Sequence, residues 1–326
     1  MQDDDKYTLS GLEFDGYQLN GKIGEGELGV VYLAVKPQSG EVAACKIMKK
    51  ELSQAGVAVQ QFVYEARTAS KLEHPNVIKA ISAGHSCGHY YLLMEYVNGV
   101  SLETLRLHEP SRLTIDFLCE RFQELASALD YAWRNYLLTH GDIKPDNILI
   151  QFDPPMLKLA DLGLAKVAIN TPHHHNTIMG TPLYIAPELA SGKQEKSSVK
   201  SDIYSFGVMF YELVCGTPPF FGSVEDVLRS HIEASPIPVR EYNREIPEKL
   251  AQFISKCMAK DPQERPEDWS QVARFLRTWK IDDDAVQKTP VNKSKDAGKK
   301  LSAVHIAVII LLSLCVIAEL LYIFFG

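Results

Sequence analysis

The 326-residue chain is predicted to be an α+β protein with a small β-rich lobe, a larger helical lobe and one C-terminal transmembrane helix. Three observations predict this: β-like runs crowd the first 97 residues, helical apolar spacing dominates the following 180 or so, and residues 301–325 are almost wholly apolar. With 46% hydrophobic and 23% charged residues, the chain can bury a core and is not a disordered tail. The predicted boundaries are an extension at 1–16, a two-lobed domain at 17–280 (lobes 17–97 and 98–280), a polar linker at 281–300 and a transmembrane helix at 301–325.

The charge and the cysteines exclude several protein classes. Acidic residues outnumber basic ones by 41 to 34, and a net charge of −7 argues against a nucleic-acid-binding protein, which usually carries a basic excess. The six cysteines are far apart and form no C-x-x-C pair, so neither a zinc knuckle nor a disulfide framework is predicted. Reduced thiols in a cytosolic domain are expected.

The smaller lobe is predicted from short strands and one helix. Residues 30–35 (VVYLAV) and 41–48 (EVAACKIM) flank the turn-rich KPQSG and indicate a hairpin. Residues 60–72 carry apolar or small side chains at helical spacing, and residues 90–97 (YYLLMEYV) indicate a further strand.

The larger lobe is predicted to be mostly helical. Its helices are expected at 117–131, 202–215, 224–232 and 249–259.

The C-terminal segment 301–325 is predicted to span a membrane. Its 25 residues contain one formal charge, Glu319, and as a helix they are long enough to cross a hydrocarbon core of about 30 Å. A buried core helix is the alternative, but core helices of this length usually keep a polar face. Lys299 and Lys300 precede the span, so the positive-inside rule places the two-lobed domain on the cytoplasmic side.

Two small residues in this segment suggest a mode of association. Ala303 and Ala307 form a small-xxx-small pair, which would let two such helices pack closely as a homodimer.

A glycine-rich run at 23–32 (IGEGELGVVY) is the first motif that carries chemistry. Gly24, Gly26 and Gly29 would let a hairpin backbone approach phosphates without a Cβ in the way. Dinucleotide-binding folds use a similar spacing, but there the glycines open a helix, whereas here they lead into a strand.

Lys46 lies in the next predicted strand, 17 residues after Gly29. A lysine among apolar neighbours needs an anionic partner, because burial alone would discharge it. Glu65 falls on the inward face of the 60–72 helix and could supply the partner. A solvated surface pair is the alternative.

Four further motifs follow in a fixed order. They are 139–150 (THGDIKPDNILI), 161–163 (DLG, with Asp161 nineteen residues after Asp142), 180–188 (GTPLYIAPE) and 201–207 (SDIYSFG). Over about residues 17–280 the chain thus resembles the eukaryotic-like (Hanks-type) protein kinases, most closely the serine/threonine branch that is also found in bacteria.

The resemblance implies a two-lobed protein kinase fold, ATP and Mg²⁺ as cofactors, and proteins as substrates. Lys46, oriented by Glu65, would hold the α- and β-phosphates. The remaining assignments are Asp142 as acceptor of the substrate proton, Lys144 for charge on the γ-phosphate, and Asn147 and Asp161 as Mg²⁺ ligands. Adenine contacts would come from Ile23, Val31, Ala44 and Leu149, with Met94 as gatekeeper and backbone hydrogen bonds from Glu95 and Val97.

Further residues of the motifs define the acceptor and the scaffold. By resemblance, Lys144 and Thr181 indicate Ser/Thr rather than Tyr acceptors. Glu188 would pair with Arg265 inside the helical lobe, and Asp202 would brace the catalytic loop from below.

The chain also departs from the family pattern. Gly141 stands where many relatives have the arginine that binds an activation-loop phosphate, so activity is expected to depend little on phosphorylation of Thr171 or Thr177. Leu162 replaces a phenylalanine conservatively. Ala69 is smaller than the usual residue on its helix and is expected to loosen the packing there.

Three alternatives stay open. The histidines at 173–175 could contribute to a metal site, although a solvated loop is the simpler interpretation. A pseudokinase that binds nucleotide without transferring phosphate is the main rival function. A small-molecule phosphotransferase is a third, weakened by the 180–188 segment, which resembles a protein-substrate platform.

Overall fold

The computed structural model describes residues 9–26, 28–161, 182–194 and 197–286, with side chains as far as Trp279. The chain divides into two units, Met1–Asp282 and Asp283–Gly326, and the account below concerns the first.

The first lobe is built on a six-stranded sheet. Its strands are β1 (Glu13–Phe14), β2 (Tyr17–Glu25), β3 (Gly29–Val35), β4 (Val42–Met48), β5 (Ala80–Ser86) and β6 (His89–Glu95). The order across the sheet is β1-β2-β3-β4-β6-β5, and every neighbouring pair is antiparallel. Helix α1 (Gly56–Ala69) of this lobe packs beside β5 and β6.

Side chains alternate between the two faces of the sheet, so one face packs in the core of this lobe and the other carries Lys46. Val31 pairs with Lys46 across β3 and β4, while the residues before and after them point to the opposite face. That opposite face is buried in one apolar cluster, which contains Phe14, Leu19, Val30, Tyr32, Cys45, Ile47, Tyr91 and Leu93. Lys46 is thereby directed toward α1 and the second lobe.

The predicted hairpin, helix and strand of this lobe are all present, with shifted bounds. The helix predicted at 60–72 runs over Gly56–Ala69 and ends at the cap residue Ser70, yet Leu72 beyond it is still buried. The strand predicted at 90–97 is His89–Glu95, so Val97 lies in the connection between the lobes.

Strand β1 extends this lobe into the predicted N-terminal extension. Phe14 pairs with Tyr17, is 1% exposed and belongs to the sheet's apolar cluster. Residues 9–16 are therefore part of the folded lobe.

The second lobe is mainly helical. Its helices are α2 (Leu102–His108), α3 (Ile115–Tyr136), α4 (Pro187–Ala190), α5 (Val199–Cys215), α6 (Val224–Glu233), α7 (Val239–Tyr242), α8 (Glu248–Cys257) and α9 (Trp269–Val286). A small antiparallel sheet contains β7 (Gly99–Ser101), β8 (Ile148–Phe152) and β9 (Pro155–Leu159) in that order.

Helix α5 forms the centre of this lobe. It is buried along nearly its whole length, as expected of a helix with few polar side chains. A capping box of Ser198 and Ser201 begins it, and Gly216 with φ +76° ends it. Phe206 makes edge-on ring contacts with Phe122 of α3 and Trp269 of α9.

The four predicted helices of this lobe are confirmed with small changes at their ends. Helix α3 begins at Ile115 because Thr114 caps it, and α5 begins at Val199 because Ser198 caps it. In both cases the polar cap lies ahead of the first apolar residue that the periodicity detects. Helix α9 continues to Val286 and so occupies the first six residues of the predicted linker, since a last turn needs no apolar period once packing upstream has formed the helix.

Several predictions fall outside the described residues. Within 9–26, 28–161, 182–194 and 197–286, no helix is long and apolar enough to cross a membrane. The predicted span at 301–325, most of the linker, and the Ala303–Ala307 pair lie outside them. So do Leu162, Thr181 and the 171–177 segment with its histidines and threonines.

Candidate active site

Lys46 is the centre of an ion cluster where the two lobes meet. Its Nζ lies 2.6 Å from Glu65 Oε1 and 3.0 Å from Asp161 Oδ1. Strand β4 supplies the lysine, α1 supplies the glutamate, and Asp161 follows β9. Lys46 is 5% exposed and Glu65 2%, so the predicted pair is present and is not a solvated surface pair.

The charges of this cluster depend on one another. Burial disfavours the Lys46 ammonium, but Asp161 and Glu65 outweigh it and raise the lysine's pKa. Burial raises the pKa of Glu65 to about 7, although Lys46 favours the carboxylate. Burial also opposes ionisation of Asp161, yet Lys46 lowers that carboxyl's pKa below its usual value. The cluster therefore holds a charged lysine beside an ionised Asp161.

A second polar group lies in the turn between α3 and β8. Lys144 Nζ lies 2.8 Å from Asp142 Oδ2. Asn147 Nδ2 donates to the Asp142 carbonyl at 2.7 Å and to Oδ2 at 3.1 Å. These contacts hold the carboxylate in one orientation, which is what a general base requires.

Asp202 braces this turn from α5, as predicted. Its Oδ2 accepts a hydrogen bond from the His140 N–H at 2.7 Å, and its Oδ1 accepts one from the Gly141 N–H at 2.8 Å. The carboxyl is 1% exposed, and burial raises its pKa despite these donors. Gly141 has φ +76°, a conformation that glycine adopts without strain.

Asn147 and Asp161, the predicted metal ligands, are brought close by the backbone. The Ala160 N–H donates to the Asn147 carbonyl at 2.9 Å, which places Asp161 one residue from that bond. The amide and carboxylate oxygens are the hard donors that Mg²⁺ prefers. In the described part of the chain, no group of three His, Cys, Asp or Glu side chains could hold a metal by itself. The donor set thus fits Mg²⁺ bound by few protein ligands together with substrate phosphates.

Three of the predicted adenine contacts, Val31, Ala44 and Met94, line the same face of the sheet as Lys46. Ala44 lies two residues before Lys46 and pairs with Met94 across β4 and β6. Ala44 is 7% and Val97 8% exposed, whereas Ile23 is 48% exposed. On the second lobe, β8 supplies Leu149.

Glu95 is tied to the loop before β5 and to β9. Its N–H donates to the Lys79 carbonyl at 2.9 Å, so of its two backbone groups only the carbonyl could contact a nucleotide. Its carboxylate accepts from the Lys79 N–H at 2.9 Å and from Lys158 Nζ at 2.7 Å. The connection between the lobes therefore starts from a fixed residue.

The three glycines of the glycine-rich run have different roles. A Cβ on Gly29 would lie 2.6 Å from the Ile47 carbonyl oxygen, so the β3–β4 pairing itself requires glycine there. Apart from the chain neighbours of each glycine, a Cβ on Gly24 or Gly26 would meet no atom of the described residues closer than 3.8 Å. Glycine at these two positions is therefore not required by the fold, which agrees with their predicted role of admitting phosphates.

Ala69 lies on the face of α1 that points toward the sheet. A small cavity of about 20 Å³ lies beside it, between α1 and the sheet, with Leu72 and Met94 also in its wall. Glu65 lines the same cavity, and its buried Oε2 has no hydrogen-bond partner among the described residues.

The predicted scaffold pair is confirmed in the helical lobe. Arg265 Nη1 and Nη2 donate to the two carboxylate oxygens of Glu188, both at 2.8 Å. Arg265 also donates to the carbonyls of Ala259, Lys200 and Lys260. The ion pair therefore holds α4, which carries Glu188, against α5 and the loop before α9.

Sequence reasoning missed two side-chain networks next to the 180–188 segment. The Tyr184 hydroxyl donates to Glu212 Oε2 at 2.5 Å, and Arg106 Nε lies 3.7 Å from Glu212 Oε1. His231 is completely buried and contacts Leu183. The one available signal was a glutamate within the apolar run of α5, because a buried charge needs partners.

Comparison with protein families matches residues 17–275 to the protein kinase domain. The chain belongs to the protein kinase family. This kinase chain is 33% identical over 268 residues to a probable serine/threonine-protein kinase of Clostridium perfringens, covering 82% of this chain and 38% of the relative. It is 32% identical over 278 residues to the serine/threonine-protein kinase PrkC of Bacillus subtilis, covering 83% and 41%. It thus spans about two fifths of the length of these relatives.

Solved structures agree on the fold. The PpkA-294 apo form matches with a TM-score of 0.69 at 23% identity, covering 82% of this chain and 98% of that one. The Mycobacterium tuberculosis PknI kinase domain matches with a TM-score of 0.65 at 24% identity, covering 83% and 98%. The predicted kinase fold, with its β-rich and helical lobes, is confirmed.

Proposed function

We propose that this chain is a serine/threonine protein kinase that transfers the γ-phosphoryl group of ATP, with Mg²⁺, to protein hydroxyls. The observation that carries the proposal is the ion cluster of Lys46, Glu65 and Asp161 beside the Asp142–Asn147 turn. Phosphoryl transfer requires positioning and charge neutralisation rather than covalent help, and this site offers both. Relatives that are named as serine/threonine-protein kinases support the same assignment.

Each residue of the site has a role that its surroundings allow. Lys46, held by Glu65, would bind the α- and β-phosphates. Asp142 would accept the proton of the acceptor hydroxyl, and Lys144, 2.8 Å from it, would offset charge on the γ-phosphate. Mg²⁺ held by Asn147 and Asp161 would supply further charge neutralisation.

A protein acceptor is supported by the 180–188 segment, which resembles a protein-substrate platform. The 182–184 turn is anchored to α5, because Ser205 Oγ donates to the Tyr184 carbonyl at 2.7 Å and the Tyr184 hydroxyl donates to Glu212. Such a fixed surface suits an extended peptide better than a small molecule. Lys144, together with Thr181, supports Ser/Thr acceptors.

The proposal includes a membrane tether. Residues 301–325 would span the bilayer and hold the kinase domain at its cytoplasmic face, because Lys299 and Lys300 precede the span.

The test uses the full chain with Mg²⁺, labelled ATP and a generic basic protein as acceptor. We expect label on Ser and Thr, and a loss of about 10²-fold or more in Asp142→Asn, because the amide cannot accept the proton. Asp146→Asn is the matched control, since the same change falls four residues away on an exposed side chain. It should retain transfer.

Two outcomes would overturn the proposal. No transfer by the wild type, while ATP still raises its Tm, would indicate the pseudokinase. Transfer that Asp142→Asn leaves unchanged would show that the label comes from another source.

A further inference from the structure

His231 of α6 connects the central helix of the large lobe to the 182–184 turn. Its Nε2 lies 3.0 Å from the Leu183 carbonyl oxygen, and its Nδ1 lies 3.0 Å from the Tyr204 hydroxyl of α5. The side chain is completely buried, and Phe220 packs edge-on against the ring at a centroid distance of 5.0 Å.

The partners of the ring define its protonation. Burial, together with the nearby Lys260 ammonium, lowers the pKa of His231 to about 4, so the imidazole is neutral at physiological pH. A carbonyl oxygen can only accept, so Nε2 carries the hydrogen and donates it to Leu183. Nδ1 is then the acceptor, and the Tyr204 hydroxyl donates to it. The direction of hydrogen bonding is therefore Tyr204 to His231 to Leu183.

The Leu183 carbonyl lies within the 180–188 segment that resembles a protein-substrate platform. The neighbouring Tyr184 is tied to α5 through its carbonyl and its hydroxyl. His231 adds a tie between this turn and α6. Leu183 and Tyr184 are thus held by side chains of two different helices.

We infer that His231 is a positioning residue for the protein acceptor, which it serves by fixing the Leu183 carbonyl and with it the 182–184 turn. This role rests on the proposed kinase function. His231 makes no contact with Lys46, Asp161 or Asp142 in the hydrogen bonds described for it, so its effect should fall on acceptor binding and spare ATP binding.

Two conservative variants of His231 test its hydrogen bonds to Leu183 and to Tyr204 separately. In His231→Gln the side-chain amide reaches the place of Nε2 and can still donate to Leu183. In His231→Asn the shorter amide takes the place of Nδ1, keeps a partner for Tyr204 and leaves the Leu183 carbonyl unpaired. Val227→Ala is the matched control, because Val227 is 2% exposed on the same helix and makes no side-chain hydrogen bond.

The first measurement is steady-state transfer by the full chain. His231→Asn should raise the KM for the protein acceptor about tenfold and leave the KM for ATP unchanged, since an unpaired buried carbonyl is costly. His231→Gln should restore most of the acceptor KM. Val227→Ala should lower Tm without changing either KM.

The second measurement is amide hydrogen exchange of peptides that cover residues 182–190, which needs no catalysis. His231→Asn should accelerate exchange there, and His231→Gln should not. Equal KM values and equal exchange in Asn and Gln variants would overturn the inference. Failure of the wild type to transfer phosphate, with the exchange difference still present, would instead contradict the proposed function and leave the positioning of the turn established.

Discussion

Gly141 has a backbone conformation that disfavours any residue with a Cβ. Its φ is +76°, and its N–H is held by Asp202. An arginine here would have to adopt the left-handed region, at a cost of about 1 kcal/mol. Glycine at position 141 avoids that strain, but it supplies no guanidinium that could bind a phosphate on the 171–177 segment.

The first prediction concerns this missing arginine. The variant with both Thr171→Ala and Thr177→Ala should keep acceptor phosphorylation within about twofold of wild type, because position 141 offers no charge to pair with a phosphate. Initial rates with the full chain would measure this, with Asp142→Asn as the inactive reference. A collapse of activity in the double variant would show that the idea is wrong.

The second prediction concerns Glu65. Its pKa is about 7 in the folded protein against an ordinary value of 4.5. Between those pH values the folded chain holds a proton that the unfolded chain has released, so this residue's contribution to stability falls as pH rises through that window. Glu65→Gln exchanges no proton there.

Urea denaturation at a series of pH values would test it. The free energy of unfolding of wild type, relative to Glu65→Gln, should be highest near pH 4.5 and decline toward pH 7. Parallel pH profiles for the two proteins would contradict the prediction.

Residues of the candidate site differ in how far sequence alone could identify them. Lys46, Asp142 and Asp161 lie in short motifs, so the resemblance of those motifs to the kinase family identified all three as candidates. Tyr184 and Glu212 are 28 residues apart and belong to no motif that states their contact. Such pairs depend on how α5 packs, which local pattern does not report.

At the scale of elements, the two-residue strand β1 contributes to the apolar packing of the six-stranded sheet. Its Phe14 is 1% exposed and lies 5.0 Å from Tyr91, centroid to centroid. The Tyr91 hydroxyl in turn donates to Asp15 at 2.7 Å. Two strands at opposite sides of the sheet are joined through this contact.

The third prediction follows from that packing. Phe14→Ala should destabilise the kinase domain by about 3–5 kcal/mol, through lost burial and the cavity left behind. Thermal denaturation would measure the change. Phe221→Ala is the matched control, because Phe221 is 71% exposed and its removal should be nearly neutral. Equal effects of the two variants would contradict the role assigned to β1.

Elements with strong periodicity were predictable, and those that depend on neighbours were not. The amphipathic spacing of α3, α6 and α8 identified them as helices. Strand β5 (AISAGHS) is rich in small residues and forms because β6 lies beside it. Strands β8 and β9 are five residues each, too short for alternation to be distinctive.

At the scale of the whole molecule, the predicted tether would decide where the kinase acts. Its span, residues 301–325, carries one charge in 25 residues, and the region before it is polar. A domain held at a membrane would meet acceptors confined to the same surface.

The fourth prediction is the partition of the full chain. Expressed in cells, it should sediment with membranes and resist extraction at alkaline pH, because transfer of so long an apolar helix to water is costly. Deletion of 301–325 should release the protein to the soluble fraction with its phosphoryl transfer intact. A full chain in the soluble fraction would show that the tether is wrong.

The Glu188–Arg265 pair has a consequence for how the chain folds while it is being synthesised. The two residues are 77 positions apart, and the buried arginine arrives last. The hairpins of β1 to β4 join neighbours in sequence, so they can form early as the chain leaves the ribosome, whereas the helical lobe waits for Arg265. Until Arg265 has been synthesised, the Glu188 carboxylate lacks the guanidinium with which it is paired in the folded protein. We expect the nascent large lobe to stay open until Arg265 has been synthesised, and to be exposed to chaperones and proteases until then.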